Sequence, residues 1–84
     1  MNDETKRLKE LRRARTRMKR QLETCPEELK PLNACMLIIL QERMVEVLGT
    51  IEERVELENL RKAMRPEWLA LLPQIKAMAP PIPV

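Results

Sequence analysis

Ala34-Cys35-Met36-Leu37-Ile38-Ile39-Leu40 is an unbroken apolar run inside a longer stretch, Leu32 to Met64, whose reading decides the fold. Seven apolar residues in a row suit either a buried strand or a helix buried on most sides, and length separates the two. No Gly or Pro interrupts residues 32–48, and the pattern continues through Gln41-Glu42-Arg43-Met44-Val45-Glu46-Val47-Leu48. At 100° per residue, Leu37, Leu40, Met44, Val47, Leu48, Ile51 and Val55 fall within an arc of about 100°, which is a helical core face. Glu42, Glu46, Glu53 and Glu56 fall on the far side. The stretch reads as a helix.

The apolar stripe then rotates. Leu57, Leu60 and Met64 lie opposite Leu37, Met44 and Val55, so the second half of the stretch buries a different side. Gly49, which costs about 1 kcal/mol relative to Ala in a helix interior, and the capping-box spacing of Thr50 and Glu53 point to a break. The unshifted phase from Leu48 through Ile51 to Val55 points to one continuous helix over residues 31–64, with Gly49 at a close helix–helix approach. The phase argument is preferred here.

A helix over 32–64 would be about 50 Å long at 1.5 Å per residue. A compact chain of this size has a radius of gyration of only about 12 Å. The 84 residues also bury a small share of their unfolded surface, about 60–65%. Both points predict a homodimer, a dimeric helical bundle in which a second copy covers the overhang.

The remaining elements follow from punctuation. Residues 3–24 form a first helix, capped by Asn2 or Asp3, with Leu8, Leu11, Met18 and Leu22 along one seam. Arg15 occupies a seam position; its stem is expected to cover apolar surface while the guanidinium reaches water or a Glu, the alternative being a register-setting buried ion pair. Pro26 and Pro31 cannot both lie inside a regular helix, so Thr24 to Pro31 is a hinge holding a single turn, with Thr24 and Glu27 at capping-box spacing. The first two helices then form a hairpin. Arg65-Pro66 ends the long helix and opens a short third helix over 66–78, kinked at Pro73. That helix folds back over Leu57, Leu60 and Met64, or else offers Trp68 as an anchor to a partner's groove. Residues 79–84 are a Pro-rich extended tail. The prediction is a single all-α domain over residues 1–78.

Residue types exclude much chemistry. The chain has no His, Ser or Tyr, one Gly, and Asp3 as its only Asp. That leaves no imidazole for metal binding or proton transfer and no Ser–His or Cys–His nucleophile pair. Phosphate-cradling Gly loops are equally excluded, so no enzyme, no cofactor and no small-molecule substrate is expected. Leu40-Gln41-Glu42-Arg43, with Gly49 and Arg54 beyond, resembles the first helix of small helical chorismate mutases over about 25 residues. The upstream arginine of that family would fall near Pro26, and the chain is too short for its later helices. No catalytic role is carried over. Cys25 and Cys35 without His are a poor zinc set and read as reduced thiols. With a charged N-terminus in place of a signal peptide and no membrane span, they suggest a cytoplasmic setting.

One surface stands out. Lys6, Lys9, Arg13, Arg17 and Arg20 recur every three or four residues on the side of the first helix opposite its leucines. From Thr5 to Leu22 there are nine basic residues and one acidic, net +8, whereas residues 25–84 carry seven basic and nine acidic, net −2. Like charges at these spacings repel by about 0.2–0.5 kcal/mol per pair, so a purely structural helix would ordinarily alternate signs. The stripe therefore predicts a binding face for an acidic protein surface, with nucleic-acid phosphates as the alternative partner. A solvated face, or one paired with Glu42, Glu46 and Glu53, is the structural alternative, consistent with an assembly subunit. The order of leucines and arginines does not fit a basic-zipper arm, and no aromatics interleave for base stacking. The expected protein is a small helical regulator, inhibitor or adaptor.

Overall fold

The structure, a computed structural model, describes residues 3–78, with side chains from Thr5 onward. The caps expected of Asn2 or Asp3 and the tail 79–84 lie outside these residues. Among the described residues every regular element is helical: α1 (Asp3–Thr24), a 3-10 turn (Glu27–Leu29), α2 (Lys30–Leu48), α3 (Ile51–Ala63), α4 (Pro66–Leu69) and α5 (Leu72–Met78). Pro26 precedes the 3-10 turn, and Pro31 lies in the first turn of α2, where its missing N–H costs nothing. Thr24 caps no helix; its hydroxyl donates back to the Arg20 carbonyl at 3.0 Å.

The continuous helix over 31–64 does not form. Gly49 adopts φ 64°, the left-handed cap conformation, and donates its N–H to the Val45 carbonyl at 2.9 Å. Thr50 then caps α3, its hydroxyl accepting from the Glu53 N–H at 3.4 Å. The physical reason is the rotated stripe. A straight helix would present the Leu37 and Leu60 sides to opposite directions, whereas a joint lets α3 fold back and turn both sides into one core. No side chain or backbone lies within 4 Å of where a Gly49 Cβ would sit, so the glycine serves its positive φ and not a close helix approach.

The break corrects three residues. Ile51 and Val55, expected in the core, are 78% and 48% exposed. Glu53, expected on the solvent side, is 2% exposed. It shares its side of α3 with Leu57, Leu60 and Met64 at intervals of four, three and four. The break also removes the overhang from which a dimer was expected: the principal extents are 41 × 23 × 22 Å and the radius of gyration is 12.9 Å.

α2 is the central element. Ala34, Cys35, Leu37, Ile38, Leu40, Gln41 and Met44 are all buried along it, and α1, α3, α4 and α5 pack against it. Leu11 meets Leu40 and Met44 while Leu22 packs near Ala34 and Leu37, so α1 runs antiparallel to α2. Leu60 and Met64 join Ala34, Leu37 and Ile38, with Trp68, Leu69 and Leu72 packed over them. The C-terminal segment thus covers the rotated stripe. It does so as two short helices, with Pro73 in the first turn of α5 and not at a mid-helix kink. Among the described residues no helix is long and apolar enough to cross a membrane.

Candidate functional site

α1 has three sides of different chemistry. Leu11, Met18 and Leu22 face α2. Next to them, Arg12, Arg15 and Lys19 project onto the acidic start of α3. Lys6, Lys9, Arg13, Arg17 and Arg20 lie about 180° from the leucine seam when 100° is taken per residue.

The second side is saturated. Arg15 Nη1 lies 2.7 Å from Glu53 Oε2 and donates at 3.0 Å to Gln41 Oε1. Gln41 Nε2 in turn donates to both the Glu53 carboxylate and the Glu53 carbonyl, each at 2.8 Å. Arg12 approaches Glu52 at 3.6 Å and Glu53 at 3.9 Å. Lys19 donates to Glu56 at 2.7 Å, and this hydrogen bond, opposed by partial burial and aided by the charges of Lys19 and Arg15, holds the Glu56 carboxyl below the usual range. Arg15 therefore takes the inward alternative, an ion pair joining α1, α2 and α3. Gln41 is the participant that the apolar pattern conceals. A polar residue beside Leu37 and Met44 on a core face is the signal the sequence carries for it.

The third side is free. Lys6, Lys9, Arg13, Arg17 and Arg20 are exposed, and among the described residues none of the five forms an ion pair. The carboxylates that might have neutralised them are engaged elsewhere. Glu53 belongs to the Arg15 network. Glu46 pairs with Arg43 at 3.0 Å, and Glu42 lies 3.4 Å from Arg61 and 2.9 Å from Lys76. The row spans about 21 Å at 1.5 Å per residue. Arg13, Arg17 and Arg20 also line a shallow surface depression with Glu10, Arg12 and Thr16.

Trp68 does not join the stripe. It is half-buried, packs on the Ala34–Leu37–Ile38 cluster, and carries the Arg65 guanidinium 5.4 Å above its ring. Its carbonyl accepts from the Cys35 thiol at 3.0 Å. It helps to close the core and lies apart from the α1 stripe. Burial raises the Cys35 thiol above its ordinary value, and both cysteines are free. Among the described residues no group of three or more His, Cys, Asp or Glu is placed to hold a metal.

The chain matches no protein-family model, no curated protein and no solved structure.

Proposed function

We propose that the chain is a non-catalytic regulator or adaptor that docks its α1 stripe onto an acidic protein surface, and that it does so as a homodimer. The observation that carries the first part is a contrast within one helix. The three cations of α1 that face α3 are paired, and the other six, the five of the stripe and Arg7, form no ion pair among the described residues. Keeping five like charges in a row works against the helix, and neutralisation by a partner offsets that cost. The stripe is one helix wide, and the exposed carboxylate of Glu52 stands nearby on α3, its side chain 83% exposed. A cationic row one helix wide suits an acidic protein element better than a broad polyphosphate. Its role in binding is to steer encounter and fix register more than to supply raw affinity.

The test is the triple variant Arg13→Glu/Arg17→Glu/Arg20→Glu, used beside the wild type in an affinity pull-down with and without nuclease. All three residues are exposed, so folding is expected to survive with an unchanged melting temperature. A nuclease-resistant protein partner captured by the wild type and lost in the triple variant supports the reading. Capture abolished by nuclease, with affinity falling at about 0.9 log units per log unit of salt for each duplex phosphate contact, would transfer the stripe to nucleic acid.

A further inference from the structure

α2 is covered by α1 on its Leu40 and Met44 side, by α3 around Gln41, and by α4 and α5 around Cys35 and Glu42. Its fourth side is left open, and that side is apolar. Leu29, Leu32, Met36 and Ile39 follow at intervals of three, four and three, the spacing of a helix–helix seam. Leu29 and Leu32 are 44% and 45% exposed, and Met36 and Ile39 are half-buried. Single exposed leucines need no explanation, but a contiguous row does.

We infer that a second copy of this chain covers the row, with the two α2 helices antiparallel and the twofold axis between Leu32 and Met36. The inference rests on the homodimer reading above and supplies its face. The polarity of this side selects both occupant and direction. The row is flanked by an acid at its start, exposed Glu28, and a cation at its end, Arg43. Glu28 forms no ion pair among the described residues, and Arg43 makes only an exposed pair with its neighbour Glu46, of the kind that contributes little. A face with an unpaired acid at one end, an apolar middle and a weakly engaged cation at the other is complementary to itself when reversed, as a twofold interface requires. Leu32 then meets Met36, Leu29 meets Ile39, and each Arg43 reaches the other copy's Glu28. A parallel pairing would set Glu28 against Glu28 and Arg43 against Arg43. The antiparallel order also opposes the helix dipoles. From Glu28 to Arg43 the seam is about 22 Å long, so the association belongs with small, micromolar interfaces. The α1 stripe points away from α2 and stays free in both copies.

Sedimentation equilibrium from about 1 to about 500 µM, a range that brackets a micromolar Kd, tests this on the full chain. The wild type is expected to approach twice the chain mass, and Leu32→Glu/Met36→Glu to remain monomeric with unchanged helix content. If that double variant loses helix content, Leu32→Ser at the nearly half-exposed position asks the same question. Arg43→Glu and Glu28→Lys should each weaken self-association about tenfold, the scale of a specific charge contact. Their equimolar mixture should recover it, because in the antiparallel pair each copy supplies the charge the other has lost. A wild-type monomer throughout overturns the dimer and the face together. A dimer indifferent to the Leu32 and Met36 changes overturns the face and leaves the dimer standing. Absence of recovery in the mixture overturns the antiparallel arrangement.

Discussion

Replacing Arg15 by Met keeps the apolar stem over the core and removes the guanidinium. Glu53, 3% exposed in its side chain, would keep Gln41 at 2.8 Å and Arg12 at 3.9 Å as its remaining partners. Removing one member of a buried ion pair costs about 3–5 kcal/mol. Arg15 is itself 18% exposed, and Arg12 stays in reach, so a loss of about 2–4 kcal/mol is the reasoned value for Arg15→Met. An 84-residue chain has about 4–12 kcal/mol in all, so this single change should consume a large share of it. Urea unfolding followed by circular dichroism at neutral pH measures the loss directly. Thermal melts should show a drop of about 8–32 °C, given about 4–8 °C per kcal/mol for domains of this size. The companion variant Arg15→Met/Gln41→Met/Glu53→Met, which removes the whole polar set, should recover much of the stability, because apolar replacement of a complete buried pair is often neutral or better. A loss below about 0.5 kcal/mol for Arg15→Met, within the range of an ordinary surface substitution, would refute the reasoning and mean that Glu53 reaches solvent without it.

Leu40→Ala should cost about 2–5 kcal/mol by leaving a cavity against Leu11 and Met44, whereas Ile51→Ala at a 78% exposed position should cost almost nothing; equal losses in chemical denaturation would place the joint wrongly. Glu56 titrates below its ordinary value because of Lys19. A depressed carboxyl contributes stability that is present above the unfolded value, about 4.3, and is lost as pH falls through the folded one. Lys19→Met should therefore remove part of the acid-side slope of stability below about pH 4.3 while leaving the slope near neutrality alone, as melts across pH would show.

The sequence was most legible where one pattern ran without interruption. α1 keeps a single phase for its leucines and another for its cations, and Pro26, Pro31 and Pro66 mark turns that no neighbouring residue contests. The all-helical fold and the exposure of the stripe follow from those features. Around Gly49 two signals conflicted. Phase continuity from Leu48 to Val55 argued for one helix, while the glycine and the Thr50–Glu53 spacing argued for two. Local chemistry prevailed because the tertiary problem, bringing the Leu60 side and the Leu37 side into one core, has no solution in a straight helix. The phase of α2 extended across the joint misplaces Glu53 and Ile51 for the same reason. Arg15 was ambiguous in isolation. What its guanidinium meets depends on Glu53 being turned inward, which only the folded-back α3 supplies.

The joint at Gly49 and Thr50 also decides where this chain can change length. One residue inserted within α2 would turn everything after it by about 100° and separate Leu40 from the face that carries Met44. Inserted within α3 after Glu53, it would pull the polar anchor out of line with Leu57, Leu60 and Met64. Between Leu48 and Ile51 the same insertion falls in a turn, and both helices keep their buried sides. From Lys30 to Ala63 this is the one place among the described residues where a length change can be absorbed without exchanging buried residues for exposed ones.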